Sequence, residues 1–255
     1  MKNKFMYLVL ISLISVFLLG CAQTAGTGTQ ADQQAASGKG RAVFAITDAA
    51  ADMGSVSSVK VTVDSVKVHS AAEGWVTVSS SPKTYDLLKL KAEGSQELLA
   101  DAELKEGTYD QIRLDISNVV VTDANGEHDA KLPSGELKIQ GNLVVDANST
   151  ATATFDFIAD ESLHMTGNGK YIMAPVVHVE TREGADVEIK SDSKVEIKSG
   201  KIKTNVKVGM DVDGNVGVGL KIPAGLNLTI GTEGVIKVGG KNSGKIGIEV
   251  GASAE

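Results

Sequence analysis

The sequence predicts an all-β protein, on three observations. Apolar residues make up 42% of the 255, enough to build a core, but only ten residues are Phe, Trp or Tyr. Such a core rests on Val, Ile and Leu, which suit the pleated surface of a sheet. Run after run also alternates polar and apolar residues with the period of two that marks a half-buried strand. Finally, the last 72 residues carry 14 of the 28 glycines, with turn signals at the short intervals of successive hairpins.

Before any strand comes a leader. Lys2 and Lys4 precede an apolar stretch from Phe5 to Leu19, which closes on Leu18-Leu19-Gly20-Cys21. A charged start, an apolar middle and a small residue before the cut define a secretory signal. Here the run resembles a lipobox, at which prokaryotic processing lipidates the cysteine and cleaves in front of it. Residues 1–20 are therefore expected to be removed and Cys21, the only thiol, to carry acyl chains such as palmitate. No thiol then remains for a disulfide or a cysteine metal site. No later apolar run approaches the ~20 residues that a membrane span needs. The lipid is thus expected to hold the chain on the extracytoplasmic face of a cell membrane or outer membrane, at ~0.8 kcal/mol per buried methylene. Ala22 is not the Asp that retains lipoproteins in the inner membrane of many two-membrane bacteria.

Losing Lys2 and Lys4 moves the formal charge from −7 to −9. An acidic chain repels nucleic acid and anionic headgroups, so neither is expected as a partner. Residues 22–40 contain no Val, Ile, Leu or aromatic residue and read as a flexible tether spanning ~25 Å.

From Arg41 the strands follow in order. They are Arg41–Thr47, Val59–Val68, Trp75–Val78, Tyr109–Val121, Thr150–Phe157 and Tyr171–Glu180. The alternation of Val59–Val68 slips once near Ser65, the mark of a bulge. Turn signals separate the runs at Glu73-Gly74, Asn125-Gly126, Pro133-Ser134-Gly135 and Gly167-Asn168-Gly169. Strands this short at this spacing favour an antiparallel β-sandwich of Greek-key, prealbumin- or immunoglobulin-like type over residues 41–183. Asp48–Met53 and Gln96–Leu104 are read as short helices.

After Gly184 the composition changes. The tail lacks Phe, Trp, Tyr, His, Cys and Arg, and ten Lys against nine acids give it +1, leaving −10 on residues 21–183. Val187-Glu188-Ile189-Lys190-Ser191 recurs unchanged as Val195–Ser199, and Asp192-Ser193 between the copies makes the pair a hairpin. Further hairpins are expected at Asp213-Gly214-Asn215, Thr232-Glu233-Gly234 and Asn242-Ser243-Gly244. Residues 184–255 thus read as a Gly-rich hairpin or meander tail. Its one apolar face must be covered by the first domain, by itself or by another chain, so self-association through the tail is one expectation.

No enzyme motif is present: no Gly-x-Ser-x-Gly elbow, phosphate loop, Gly-x-Gly-x-x-Gly or His-Glu-x-x-His. No catalytic residue is assigned and the chain is not expected to be an enzyme. His69, His128, His164 and His178 are scattered singly, without zinc-ligand spacing. Asp211, Asp213 and Asn215 place oxygens at alternate positions beside Gly214, as a calcium loop opens, but Ile222 stands where its closing acid would be. The segment is read first as a turn, as is Asp123–Asp129, with weak calcium binding the alternative; no other cofactor is expected. The sequons at Asn148 and Asn227 are at chance frequency. Trp75, the one indole, suits either core packing, the favoured reading, or stacking on a sugar ring.

Several segments together resemble a family of prokaryotic surface lipoproteins catalogued as domain-of-unknown-function family 4382. They are Ile46–Asp52, Val61–His69, Gly74-Trp75, Tyr85–Leu90, Gly107–Leu114, Leu132–Gly135, Phe155–Phe157 and Gly167–Tyr171, colinear over roughly residues 40–180. Members often have Pro where this chain has Ala50. The resemblance implies an extracytoplasmic β-sandwich behind a lipobox; it implies no activity, ligand or catalytic residue, and the tail lies outside it.

Asp48, Asp52, Asp156 and Asp160 sit in turn or Gly-rich contexts where packing alone does not call for an acid. Phe155 and Phe157 should point opposite to Asp156. Should Asp48 and Asp156 converge, they would hold a cation or Lys170; otherwise Asp156 is simply the polar member of an alternation, the favoured reading. Arg113 is expected to pair with one of these acids. The whole reads as a membrane-anchored binding, adhesion or structural module of the cell envelope, with envelope polysaccharide or a surface protein as partner. The alternative is a cell-envelope hydrolase or solute-capturing accessory with an acidic site at Asp48, Asp52 and Asp156.

Overall fold

A computed structural model describes residues 38–50 and 52–239. The lipidation signal expected at Cys21, the expected tether up to residue 37 and the hairpin expected at Asn242-Ser243-Gly244 lie outside the described residues. The regular structure of the described chain is nearly all strand: β1 (Lys39–Asp48), β2 (Ser58–Ser70), β3 (Gly74–Ser79), β4 (Lys83–Asp86), β5 (Glu97–Lys105), β6 (Gly107–Asp123), β7 (Gly126–Lys131), β8 (Glu136–Val145) and β9 (Thr150–Phe157). There follow β10 (Leu163–Met165), β11 (Tyr171–Met173), β12 (Val176–Glu183), β13 (Val187–Ile189), β14 (Val195–Ile197), β15 (Lys201–Met210), β16 (Val216–Val218), β17 (Asn227–Ile230) and β18 (Ile236–Gly239). Two short helices, α1 (Leu87–Glu93) and α2 (Ala159–Ser162), interrupt them.

These strands form the expected sandwich. One sheet runs β16-β15-β12-β9-β1-β5; the other runs β10-β11-β7-β6-β2-β3, with β4 also on β2 and β8 also on β6. Their inner faces share one core, to which Phe44, Phe155 and Phe157 come from the first sheet and Val61, Ile112, Leu114 and Ile139 from the second. Pairing is mainly antiparallel, but β1 and β9, and β7 and β11, run parallel. The slip near Ser65 is a bulge: Asp64 and, opposite it, Ser117 drop out of register, and Ser117 donates to Asp64 at 2.8 Å.

Local sequence explains most of the rest. β1 begins at Lys39 between two glycines that the packing requires. A Cβ on Gly40 would sit 2.3 Å from the Asp146 carbonyl oxygen, and one on Gly38 would sit 2.3 Å from the Ala147 Cβ. The run Tyr171–Glu180 is two strands, because the chain crosses at Ala174-Pro175 from one sheet to the other.

Both expected helices are absent. Gln96–Leu104 is the strand β5, and its pairing along β1 overrides the helix-forming Leu, Ala and Glu. Asp48 ends β1, and Asp52 instead accepts from the Gly54 amide at 3.0 Å in a turn. The true helix α1 is capped by Asp86, whose side chain accepts from the Lys89 amide, and by Gly94 in the left-handed conformation.

The tail returns to the body. β15 pairs with β12 along eight positions and extends the first sheet. The repeat forms the hairpin β13–β14, turning at Asp192-Ser193 with Ser193 at φ 65°. Its Val187, Ile189, Val195 and Ile197 lie over Val43, Ala45 and Leu98, on the side of that sheet away from the core. The turns at Asp213–Asn215 and Thr232–Gly234 are present, and Leu228 of β17 joins the main core.

Candidate functional site

The acids singled out by the sequence fall in four separate places. Parallel register sets Asp48 beside Phe157 and Asp156 beside Thr47. Neighbours in register share a face, so the two carboxylates leave the strands on opposite sides of the sheet and do not converge on a cation. Asp48 is 6% exposed and accepts from the Ala159 amide at 3.1 Å, while its Oδ2 has no hydrogen-bond partner. Burial pushes its carboxyl up to about 6; the charge of Asp156 adds to the rise, and the Ala159 amide and Lys91 oppose it. Burial also raises Asp156, against the opposing pull of His178 across the strand pair. The basic residues beside them are thus Lys91 and His178 rather than Lys170. Asp52 is exposed in its own turn.

Asp160 lies on a shallow groove of about 390 Å3 with Glu161, His164, Met165, Lys221 and Leu226. There Lys207 and Lys221 hold the Glu161 carboxyl below its usual range.

The turn acids serve their turns. Asp211 accepts from the amides of Asp213 and Asn215 and from the Asn215 side chain, each at 2.9 Å. Asp123 accepts from the Asn125 amide at 2.7 Å, from His128 at 3.0 Å and from the Tyr171 hydroxyl at 2.8 Å. The Asn125 amide chiefly, then Tyr171 and His128, hold Asp123 down at about 2. Among the described residues no group of three His, Cys, Asp or Glu is placed to hold a metal ion.

A different surface stands out on the eight-stranded sheet. Trp75 is not in the core: it is 41% exposed on β3. The alternation Trp75, Thr77, Ser79 against Val76 and Val78 places it on the polar face, a signal present in the sequence. Directly opposite it is His69, the rings 5.2 Å apart and tilted. The Arg113 guanidinium lies 4.4 Å from the indole centroid, a cation–π contact. Arg113 pairs not with the Asp set but with Glu136 on the neighbouring strand, at 3.0 Å. Register then lines up Trp75, His69, Gln111 and Gln140 in one row across β3, β2, β6 and β8. Thr77, Lys67, Arg113 and Lys138 form the next row. Sequence reasoning missed His69, Gln111 and Gln140 as a group, because cross-strand register is not written in local alternation.

Residues 39–175 match the family described as a domain of unknown function, DUF4382, and the chain belongs to that family. No curated protein and no solved structure matches it. No helix among the described residues is long and apolar enough to cross a membrane.

Proposed function

We propose that the chain is an extracytoplasmic lipoprotein, held at a cell membrane or outer membrane by lipid on Cys21, whose folded part is a binding or adhesion module of the cell envelope. The observation that carries the reading is the order of its parts. A lipidation signal at Leu18–Cys21 stands ahead of a tether without Val, Ile, Leu or aromatic residues, and a strand-built body starts at Lys39. In support of binding, the polar face of the eight-stranded sheet is broad and carries an exposed indole.

The competing reading is a cell-envelope hydrolase or solute-capturing accessory working through Asp48, Asp52 and Asp156. The raised carboxyl of Asp48 favours it, since an acid near 6 suits proton transfer. Against it stands the scatter of the three acids, one buried, one in an exposed turn and one on the far face of the sheet.

Two experiments test the proposal. Cells fed an alkyne-bearing palmitate should label the wild-type chain, and Cys21→Ala should abolish the label and release the protein from the membrane fraction. Crosslinking on intact cells, followed by mass spectrometry and glycan analysis, should recover a reproducible envelope partner. A Cys21→Ala chain that stays membrane-bound removes the anchor, and recovery of the lipoprotein alone, beside a control that captures its partner, removes the binding role.

A further inference from the structure

The geometry points to the Trp75 face as a docking site for an uncharged sugar chain of the envelope, an inference that rests on the binding role proposed above and names its ligand class. Three observations carry it.

The first is the indole. Arg113 lies against Trp75, which at 41% exposure still offers ring surface to solvent. An aromatic ring presents an apolar platform, and the C–H face of a pyranose ring is the complementary shape. His69 at its side and Arg113 against it fix the ring before a ligand arrives, which lowers the ordering cost of binding.

The second is charge. Each cation around the indole lies against an anion: Lys67 reaches Asp115 at 2.6 Å, while Arg113 at 3.0 Å and Lys138 at 3.2 Å share the carboxylate of Glu136. His69 contacts Asp110 at 2.8 Å. Among the described residues none of these three cations stands apart from a carboxylate to attract a phosphate- or uronate-bearing polymer, and the net charge of −10 on residues 21–183 repels one. A ligand without charge suits such a surface.

The third is the row of register partners. Beyond His69 come Gln111 and Gln140, whose amides each donate and accept, as sugar hydroxyls require. At ~4.8 Å between strands the row from Trp75 to Gln140 spans about 14 Å of sheet, room for a short run of rings rather than a single one.

Trp75 is the only Trp, so its emission reports this site alone. The test uses the full-length lipoprotein in detergent micelles and envelope glycans of the host, separated by anion exchange into an uncharged and an anionic fraction. The uncharged fraction is expected to shift Trp75 emission in a saturable way. Affinity electrophoresis should show binding at least tenfold weaker in Trp75→Ala and several-fold weaker in the double variant Gln111→Ala/Gln140→Ala, which leaves the indole and the ion pairs in place. Saturable binding of the anionic fraction alone overturns the uncharged class. Capture of either fraction with unchanged emission, and with equal strength in both variants, overturns the site while leaving the binding role standing. Capture of neither fraction, with no crosslinked partner on cells, removes the role and the site together.

Discussion

The two sheets share one core and differ in what lies on their outer faces. On the six-stranded sheet, Val43 and Ala45 face away from the core and are fully buried, because the β13–β14 hairpin of the tail covers them. Beside Val43 in register, Thr152 is 1% exposed with an Oγ1 that has no partner. On the eight-stranded sheet the outer face stays open and carries ion pairs, Lys67 with Asp115, Lys60 with Glu127, and Arg113 and Lys138 with one shared Glu136. Neither arrangement satisfies every group: Thr152 Oγ1 on the covered face and Arg113 Nε on the open one are both without a partner, at about 1–3 kcal/mol each. The chain has covered the face where it carries aliphatic residues and left open the one where it carries Trp75, Arg113 and the glutamines.

This contrast can be broken in steps. The largest effect should come from the part both faces share. Phe157→Ala empties a fully buried site on β9 and is expected to cost about 3–5 kcal/mol in chemical denaturation, lowering the stability of both sheets together. Next is Asp48→Asn. A carboxyl raised to about 6 from 3.8 binds its proton more tightly folded than unfolded. Its stabilising contribution is complete below pH 3.8 and is lost as pH rises through 6. Removing the charge should therefore gain about 2–3 kcal/mol at pH 7 and flatten the fall in stability between pH 4 and 6. Asp123, held down at about 2, contributes in the opposite sense: its stabilisation is present above pH 3.8 and fades as pH drops towards 2, so Asp123→Asn should flatten the acid limb instead.

Smaller effects separate the faces. Val195→Ala thins the cover over Val43 and Ala45 and should cost about 1.5 kcal/mol. Hydrogen exchange should quicken in β13 and β14 while Trp75 emission is unmoved. Trp75→Ala should cost under about 1 kcal/mol, the worth of its contact with Arg113, as followed by circular dichroism. A loss several times larger would mean that the open face holds the fold together rather than serving a ligand.

Much of this fold was legible in alternation. The bulge beside Ser65, the strand Thr150–Phe157 and the hairpin of the repeated Val-Glu-Ile-Lys-Ser all stood in the sequence as breaks or repeats of period two. Alternation fails where tertiary pairing decides. Nothing local in β1 or β9 says that they run parallel, and β5 carries helix formers yet follows β1. The caps of α1, Asp86 and Gly94, were available but bracket only seven residues, too few for a periodic apolar stripe to show. The candidate surface was half legible. Strand alternation puts Trp75 on the polar side, but its row with His69, Gln111 and Gln140 exists only once three strand registers are known. Alternation put Asp156 opposite Phe155 and Phe157, but only the parallel register of β1 and β9 sets Asp48 beside Phe157, on the other side of the sheet from Asp156.

The entry of the chain into β1 has a mechanical consequence. β1 is an interior strand, joined at eight registered positions to β5 and at eight to β9. A body held by its N-terminus and pulled at a distant surface takes the load first at Lys39. Tension along β1 acts across two ladders at once, in shear, so their hydrogen bonds must yield together instead of opening one by one from an end. Gly38 and Gly40, pressed against the loop after β8, seat the point where that load arrives.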